Sequence, residues 1–261
     1  MIPISDENPT LRTPVMTWII LGAIFAVWFV VQGGGLPGNG IQLATSICNL
    51  GMVPGELTHR APLGLGVPIA PGLACVIDND AINILTPLTS MFLHGGWAHI
   101  LGNCLFFWVF GNNIEDSMGP GRFLAFYLIC GLAAAATQVL IQPTSPVPTV
   151  GASGAISGVL GAYLVLYPRV RVNMLFYFLI FFKIFAIPAW LVLIYWFGVQ
   201  VLTGLPQLSS VRPDVSGGVA VWAHIGGFVT GMALIKLFEN RSYVATRNTI
   251  RRERLANSPR S

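Results

Sequence analysis

Charge is what the sequence has least of: Asp, Glu, Lys and Arg make up 9% of its 261 residues, against about 25% in soluble domains. That scarcity argues against a disordered chain, a cytosolic enzyme and a nucleic-acid binder, even though 14 basic residues against 10 acidic ones leave a net charge of +4. Metal-ligating and redox groups are also thin. The chain has four His and four Cys, with no His-Glu-x-x-His and no Cys-x-x-Cys, so no metal site and no cofactor is expected. What fills the space is apolar: 54% of residues are hydrophobic and the mean hydropathy is +0.71. Such a chain resides in a lipid bilayer as a polytopic membrane protein.

A bilayer is crossed by about 20 apolar residues in a helix. Stretches of that kind lie at 14–32, 97–113, 123–142, 153–167 and 217–238. The run 172–204 is broken by Lys183 and Pro188, which places a further span at 187–204 and a membrane-associated hairpin or half-helix at 172–186. The count is six spans in an all-α bundle over residues 1–238, followed by a basic tail at 239–261. The alternative, two spans within 172–204, gives seven. Basic residues collect on the cytoplasmic side. Six spans with both termini cytoplasmic leave only Arg60 and Arg212 outside, whereas seven would carry the basic tail across, so six is preferred.

The first span is too long for a signal-peptide core and no small-residue cleavage site follows it, which makes it a retained helix. The loop at 33–90 is too long for a plain connection and faces the oxidising side. Its Cys48 and Cys75 are permitted to pair there, and the sequence leaves the pairing open. Cys104 and Cys130 read as small buried apolar groups, and the tail as a solvated extension.

Polar side chains inside a bilayer are costly and mark function. They are few here: His99 and Asn103, four apart and so on one face of the second helix, Ser153 at the start of the fourth, and His224 in the sixth. Gly227 and Gly231 share the face of His224, and Gly154 and Gly158 form a matching stripe beside Ser153, so the fourth and sixth helices approach closely. Helices two, four and six all enter from outside, which gathers the four polar groups at one depth in the outer half of the membrane. A serine bonded to a neutral imidazole is an activated nucleophile. An Asn amide, a second His N–H and a helix start can hold the oxyanion of a tetrahedral intermediate. This is equipment for acyl transfer. Asp6, Asp78, Asp80, Asp116 and Asp214 are assigned to loops or tails, with Asp214 a loop charge rather than a third member of a triad. His94 is read as structuring a loop and His59 as solvated.

Gly151-Ala152-Ser153-Gly154 resembles the GxSG motif of the rhomboid intramembrane serine proteases. His94 to Asn103 is similar to their HxxxxHxxxN segment, and Ala223 to Gly231 to their AHxxGxxxG segment. The resemblance covers about residues 86–238. It implies Ser153 as nucleophile, His224 as general base and acid, and His99 and Asn103 as oxyanion groups, with no carboxylate in the dyad. It also implies a structural role for Glu115, single-pass transmembrane proteins as substrates cut near the outer end of their span, and a bacterial inner membrane as the setting. A relative without activity that only binds transmembrane helices is the alternative. Two positions depart from the family pattern: Leu85-Thr86 stands where many members have Trp-Arg, and Ser157 where some have an aromatic that stacks on the histidine. Trp222, a ring of the fifth helix or Ser157 itself would then orient His224. Trp190, Trp196 and Phe197 of the fifth helix are read as facing lipid or a gate for substrate.

Overall fold

The computed structural model describes residues 2–34, 36, 38–70, 72–78, 83–178, 181–209 and 219–257. Asp80, Arg212 and Asp214 lie outside them. The chain is mostly helical. After strand β1 (Ile2–Asp6) comes α1 (Val15–Ala26), which runs on as a π turn to Val31, and then α2 (Gly40–Leu50). One-turn α3 (Pro54–Leu57), the hairpin β2 (Gly66–Ala70) and β3 (Leu73–Val76), and one-turn α4 (Thr86–Thr89) complete the long loop. The bundle continues with α5 (Trp97–Met118), α6 (Pro120–Ile141) and α7 (Ser153–Leu166). The hairpin β4 (Arg171–Phe178) and β5 (Phe181–Pro188) then leads to α8 (Ala189–Ser209), α9 (Val221–Phe238) and α10 (Arg241–Asn257).

Among the described residues, α6, residues 189–207 of α8, and α9 are long and apolar enough to cross a membrane, and Val15–Val31 and α7 are shorter apolar helices. α5 starts and stops where a helix entering at Trp97 should, but its last turn carries Glu115 and Asp116.

α7 is the centre of the bundle, with every residue from Gly154 to Tyr163 buried. The small-residue stripes explain how. A Cβ built on Gly227 would run into the carbonyl of Gly154, one on Gly231 into that of Gly158, and one on Gly161 into that of Phe228. α7 and α9 therefore touch backbone to backbone, an approach that only glycine allows. Ala134 and Cys130 of α6 fill the space beside Gly154 and Gly158 at the same contact, so α6, α7 and α9 meet along this stripe.

Three expectations need correcting. First, the chain is not purely helical. Residues 171–188 form a β-hairpin, in register from Arg171 with Pro188 to Phe178 with Phe181, and β1 adds to its other side as Ile2 with Leu175 through Asp6 with Val172. A run rich in β-branched and aromatic residues suits a strand, and its uniform hydrophobicity concealed the alternation.

Second, the tail does not float. α10 returns to the far end of α5, where Arg247, 2% exposed, pairs with Asp116 and donates to Asn113 O at 2.9 Å and the Tyr167 hydroxyl at 2.7 Å. Third, two of the acids are not loop charges. Asp116 lies in the last turn of α5 and also takes Leu11 N–H and Arg12. Asp6, in β1, accepts hydrogen bonds from Tyr163 and Asn113, and its burial pushes the carboxyl up to about 6. Beside them Glu115 caps the start of α1 by accepting from Met16 N, Thr17 N and the Thr17 hydroxyl at 2.7–2.8 Å, the structural role expected of it. All of this sits at the end of the bundle opposite Ser153, with Asn113, Glu115 and Asp116 lying 14 to 17 residues, or about 21–26 Å, along α5 from His99.

The long loop is stapled by a disulfide between Cys48 of α2 and Cys75 of β3, with Cα atoms 5.3 Å apart. Thr89 donates to Leu50 O at 2.7 Å, and Gly151 N–H to Ser90 O at 2.9 Å. These bonds anchor the loop where Leu85-Thr86 departs from the family pattern.

Candidate active site

Ser153 opens α7, so its side chain projects at a helix N-terminus, where the macrodipole favours negative charge. The turn that delivers it needs glycine: Gly151 has φ +128°, and a Cβ there would stand 2.7 Å from His99 Nε2. Backbone contact between α7 and α9 then brings His224 across. Its Nε2 lies 2.7 Å from Ser153 Oγ.

The far nitrogen of the same ring, Nδ1, lies 2.9 Å from Oε1 of Gln200 on α8. Trp196, one turn earlier on α8, lies against the imidazole with ring centroids 5.8 Å apart and planes 37° apart. Sequence reasoning offered several rings for this place, and α8 supplies the one used. Trp222 instead lies against Gly204, and Ser157 donates to Ser153 O at 2.6 Å rather than to the histidine. Trp196 and Phe197 both pack on Phe228, so only Trp190 of the three aromatics named is strongly exposed. Gln200 was missed, although a glutamine within an apolar run was itself a signal.

His99 occupies the first turn of α5. The Gly95 N–H donates to its Nδ1 at 3.3 Å, which places the proton of the neutral ring on Nε2, the atom nearest Gly151. One turn on, Asn103 Nδ2 is buried and makes no hydrogen bond among the described residues. His99, Asn103, Ser153 and His224 line a single cavity of about 670 Å³. Its remaining wall includes Val67, Pro68 and Ile69 of β2 and Val147 to Val150 before α7.

His94 lies outside the cavity. It is fully buried, and its backbone is clamped by Gln32, which donates to His94 O at 2.9 Å and accepts His94 N–H at 2.8 Å. Burial, reinforced by neighbouring His99, holds its ring down at about 3, so it stays neutral, a loop-structuring group as its position implied. His59 is exposed. Among the described residues no cluster of His, Cys, Asp or Glu could hold a metal ion.

The chemistry of the arrangement follows from donors and acceptors. An amide oxygen only accepts, so His224 carries its proton on Nδ1 and presents a lone pair at Nε2 to the Ser153 hydroxyl. Two N–H donors, His99 Nε2 and Asn103 Nδ2, belong to residues that line the same cavity, and Asn103 Nδ2 has no hydrogen-bond partner among the described residues.

Residues 83–241 match the family model described as the Rhomboid domain. Three relatives are the Rhomboid protease GluP of Bacillus subtilis, RHOMBOID-like protein 5 of Arabidopsis thaliana and RHOMBOID-like protein 4 of the same plant. The first is 44% identical over 77 residues, 30% of this chain and 15% of the relative. The second is 26% identical over 165 residues, 60% and 53% of the two chains, and the third 35% over 147 residues, 56% and 32%. The chain thus spans 15% and 53% of the length of the first two relatives.

Proposed function

Because the chain belongs to the rhomboid family, we propose that it is an intramembrane serine endopeptidase that cuts single-pass membrane proteins near the outer end of their transmembrane segment. The observation that carries this reading is the 2.7 Å contact between Ser153 Oγ and His224 Nε2, with the other ring nitrogen held by an acceptor. His224 takes the hydroxyl proton as Oγ attacks the scissile carbonyl. The oxyanion that forms is met by His99 Nε2–H, Asn103 Nδ2–H and the N-terminal backbone of α7. His224 then returns its proton to the leaving amine, and water releases the acyl group by the same steps.

On this reading α1, α5, α6, α7, α8 and α9 are the six spans, both termini are cytoplasmic, and the cavity opens toward the outer face of a membrane such as the bacterial inner membrane. The distribution of Lys and Arg supports that orientation. Substrate comes in sideways past α8, whose Ile194, Tyr195 and Leu202 are exposed. Substrates whose helix unwinds easily are favoured, since a backbone in lipid does not give up its hydrogen bonds cheaply.

A helix-binding module without activity would have no need of a serine and an imidazole in contact, and reagent chemistry separates the two. The reconstituted protein is offered a fluorophosphonate and a panel of tagged single-pass substrates, and the cuts are mapped. Labelling and cleavage that both vanish in Ser153→Ala are expected. Cleavage above about 1% of the wild-type rate in that variant refutes covalent catalysis by Ser153, because loss of a nucleophile costs several orders of magnitude.

A further inference from the structure

His224 has two ring nitrogens, and the serine uses only one. A neutral imidazole puts its single proton on either, and only the tautomer protonated at Nδ1 can accept from Ser153. Within α9 itself nothing selects that tautomer. The selecting group reaches over from α8: Gln200 Oε1, 2.9 Å from Nδ1. Trp196, four residues earlier and therefore on the same face of α8, covers the ring beside it. Seven residues beyond Gln200, Gln207 Oε1 accepts from Nε2 of Gln142, the residue that caps the end of α6, at 3.2 Å, and Gln142 Oε1 in turn accepts from Gln138. Gln138 Oε1 takes the Ala223 N–H in the first turn of α9 at 3.2 Å. The helix on the outside of the bundle is thus fastened to α6 and α9 by amide side chains, and one of these fastenings is the far side of the catalytic ring.

We infer that Gln200 is a positioning residue that fixes His224 in the tautomer able to accept the Ser153 proton, and that α8 must be seated on α9 for the dyad to be fully active. The inference rests on the serine-protease reading above. When the proton passes from Ser153 Oγ to Nε2, the ring becomes an imidazolium with N–H at both nitrogens. Gln200 Oε1 goes on accepting from Nδ1, so no atom of Gln200 gains or loses a proton. The Nε2 proton leaves on the amine of the departing segment, which restores the starting tautomer. Displacing α8 sideways to admit a substrate removes the acceptor and the covering indole together, so the base is assembled only when the helix closes again.

The test uses the full chain, reconstituted, with a fluorophosphonate for labelling and a tagged single-pass substrate for cleavage. Gln200→Met keeps an unbranched side chain of similar length without the acceptor. It should lower kcat by about 10- to 100-fold with KM within about twofold, the scale of a slightly misplaced catalytic group. Labelling should slow in parallel while the thermal midpoint holds. Gln200→Glu retains an acceptor oxygen and should recover most of the lost rate. A kcat for Gln200→Met within about threefold of wild type, equal losses in Met and Glu, or a loss confined to KM would each overturn the inference. If the Met variant does not fold, Gln200→Asn, which withdraws the acceptor by one methylene, takes its place: slowed labelling supports the role, and an unchanged rate overturns it. Labelling and cleavage that persist in Ser153→Ala refute the protease reading itself, whereas activity that needs Ser153 but ignores Gln200 refutes this inference alone.

Discussion

Replacing Gly227 by valine tests the link between the packing of two helices and the chemistry between them. A Cβ at that position would stand 3.0 Å from the carbonyl carbon of Gly154 and nearer still to its oxygen, where carbon contacts settle at about 3.5–4.0 Å. The oxygen is backbone of the most buried helix and has nowhere to go, so α9 must move away from α7, by about 1 Å or more for Cβ alone and further for the branched methyls. Ser153 Oγ and His224 Nε2, now 2.7 Å apart, would end near 3.7 Å or beyond, outside hydrogen-bond range. A displacement of that size costs about 10²-fold in rate, and the overpacking costs about 1–3 kcal/mol of stability. Cleavage rate, fluorophosphonate labelling and thermal unfolding are measured for Gly227→Val, for the milder Gly227→Ala, and for Val229→Leu on the exposed side of α9, where the native residue is 51% exposed. A graded loss from Ala to Val with a silent control is expected. Activity in Gly227→Val equal to the control would show that α9 does not rest on α7 through this face, and the dyad geometry would have to be rebuilt.

Asn103→Ala should lower turnover by roughly 10²- to 10³-fold, the cost of one oxyanion donor, while leaving slow labelling of Ser153; an unchanged turnover would reassign Asn103 to helix packing. Asp6 tests the opposite end. Its carboxyl is raised from an ordinary 3.8 to about 6 by burial, so the folded chain binds this proton more tightly than the unfolded one. Stability from this group should fall as pH rises from about 4 to 6, by about 3 kcal/mol in all. Thermal unfolding in detergent at pH 4.5 and 7.5 should show a difference that Asp6→Asn reduces; an equal difference in the variant would mean that Asp6 is not the group responsible.

The parts of the site legible in the sequence were those that break a local rule. Ser153, His224, His99 and Asn103 stood out because polar groups in apolar helices demand a reason, and Gly154, Gly158, Gly227 and Gly231 because their spacing repeats on one helix face. What escaped depends on pairings across the chain. Arg247 and Asp116 lie 131 positions apart and Asp6 and Asn113 107 apart, and nothing near any of them in sequence announces the partner. The Cys48–Cys75 bridge was permitted but not selected. Residues 171–188 read ambiguously because an apolar run without alternation suits a buried helix and a buried strand alike. Gln200 was lost differently: it was visible, but its meaning depends on α8 lying beside His224, which spacing along the chain does not reveal.

The staple in the long loop also makes the molecule a record of its own insertion. The only thiols left beside the Cys48–Cys75 bridge are Cys104 and Cys130, both buried in the bundle. A chain whose loop reached an oxidising compartment keeps two cysteines locked together, and a chain threaded the other way round keeps all four reduced. Counting alkylatable sulfurs after denaturation, two against four, therefore reads orientation molecule by molecule, with no reporter fused to either end.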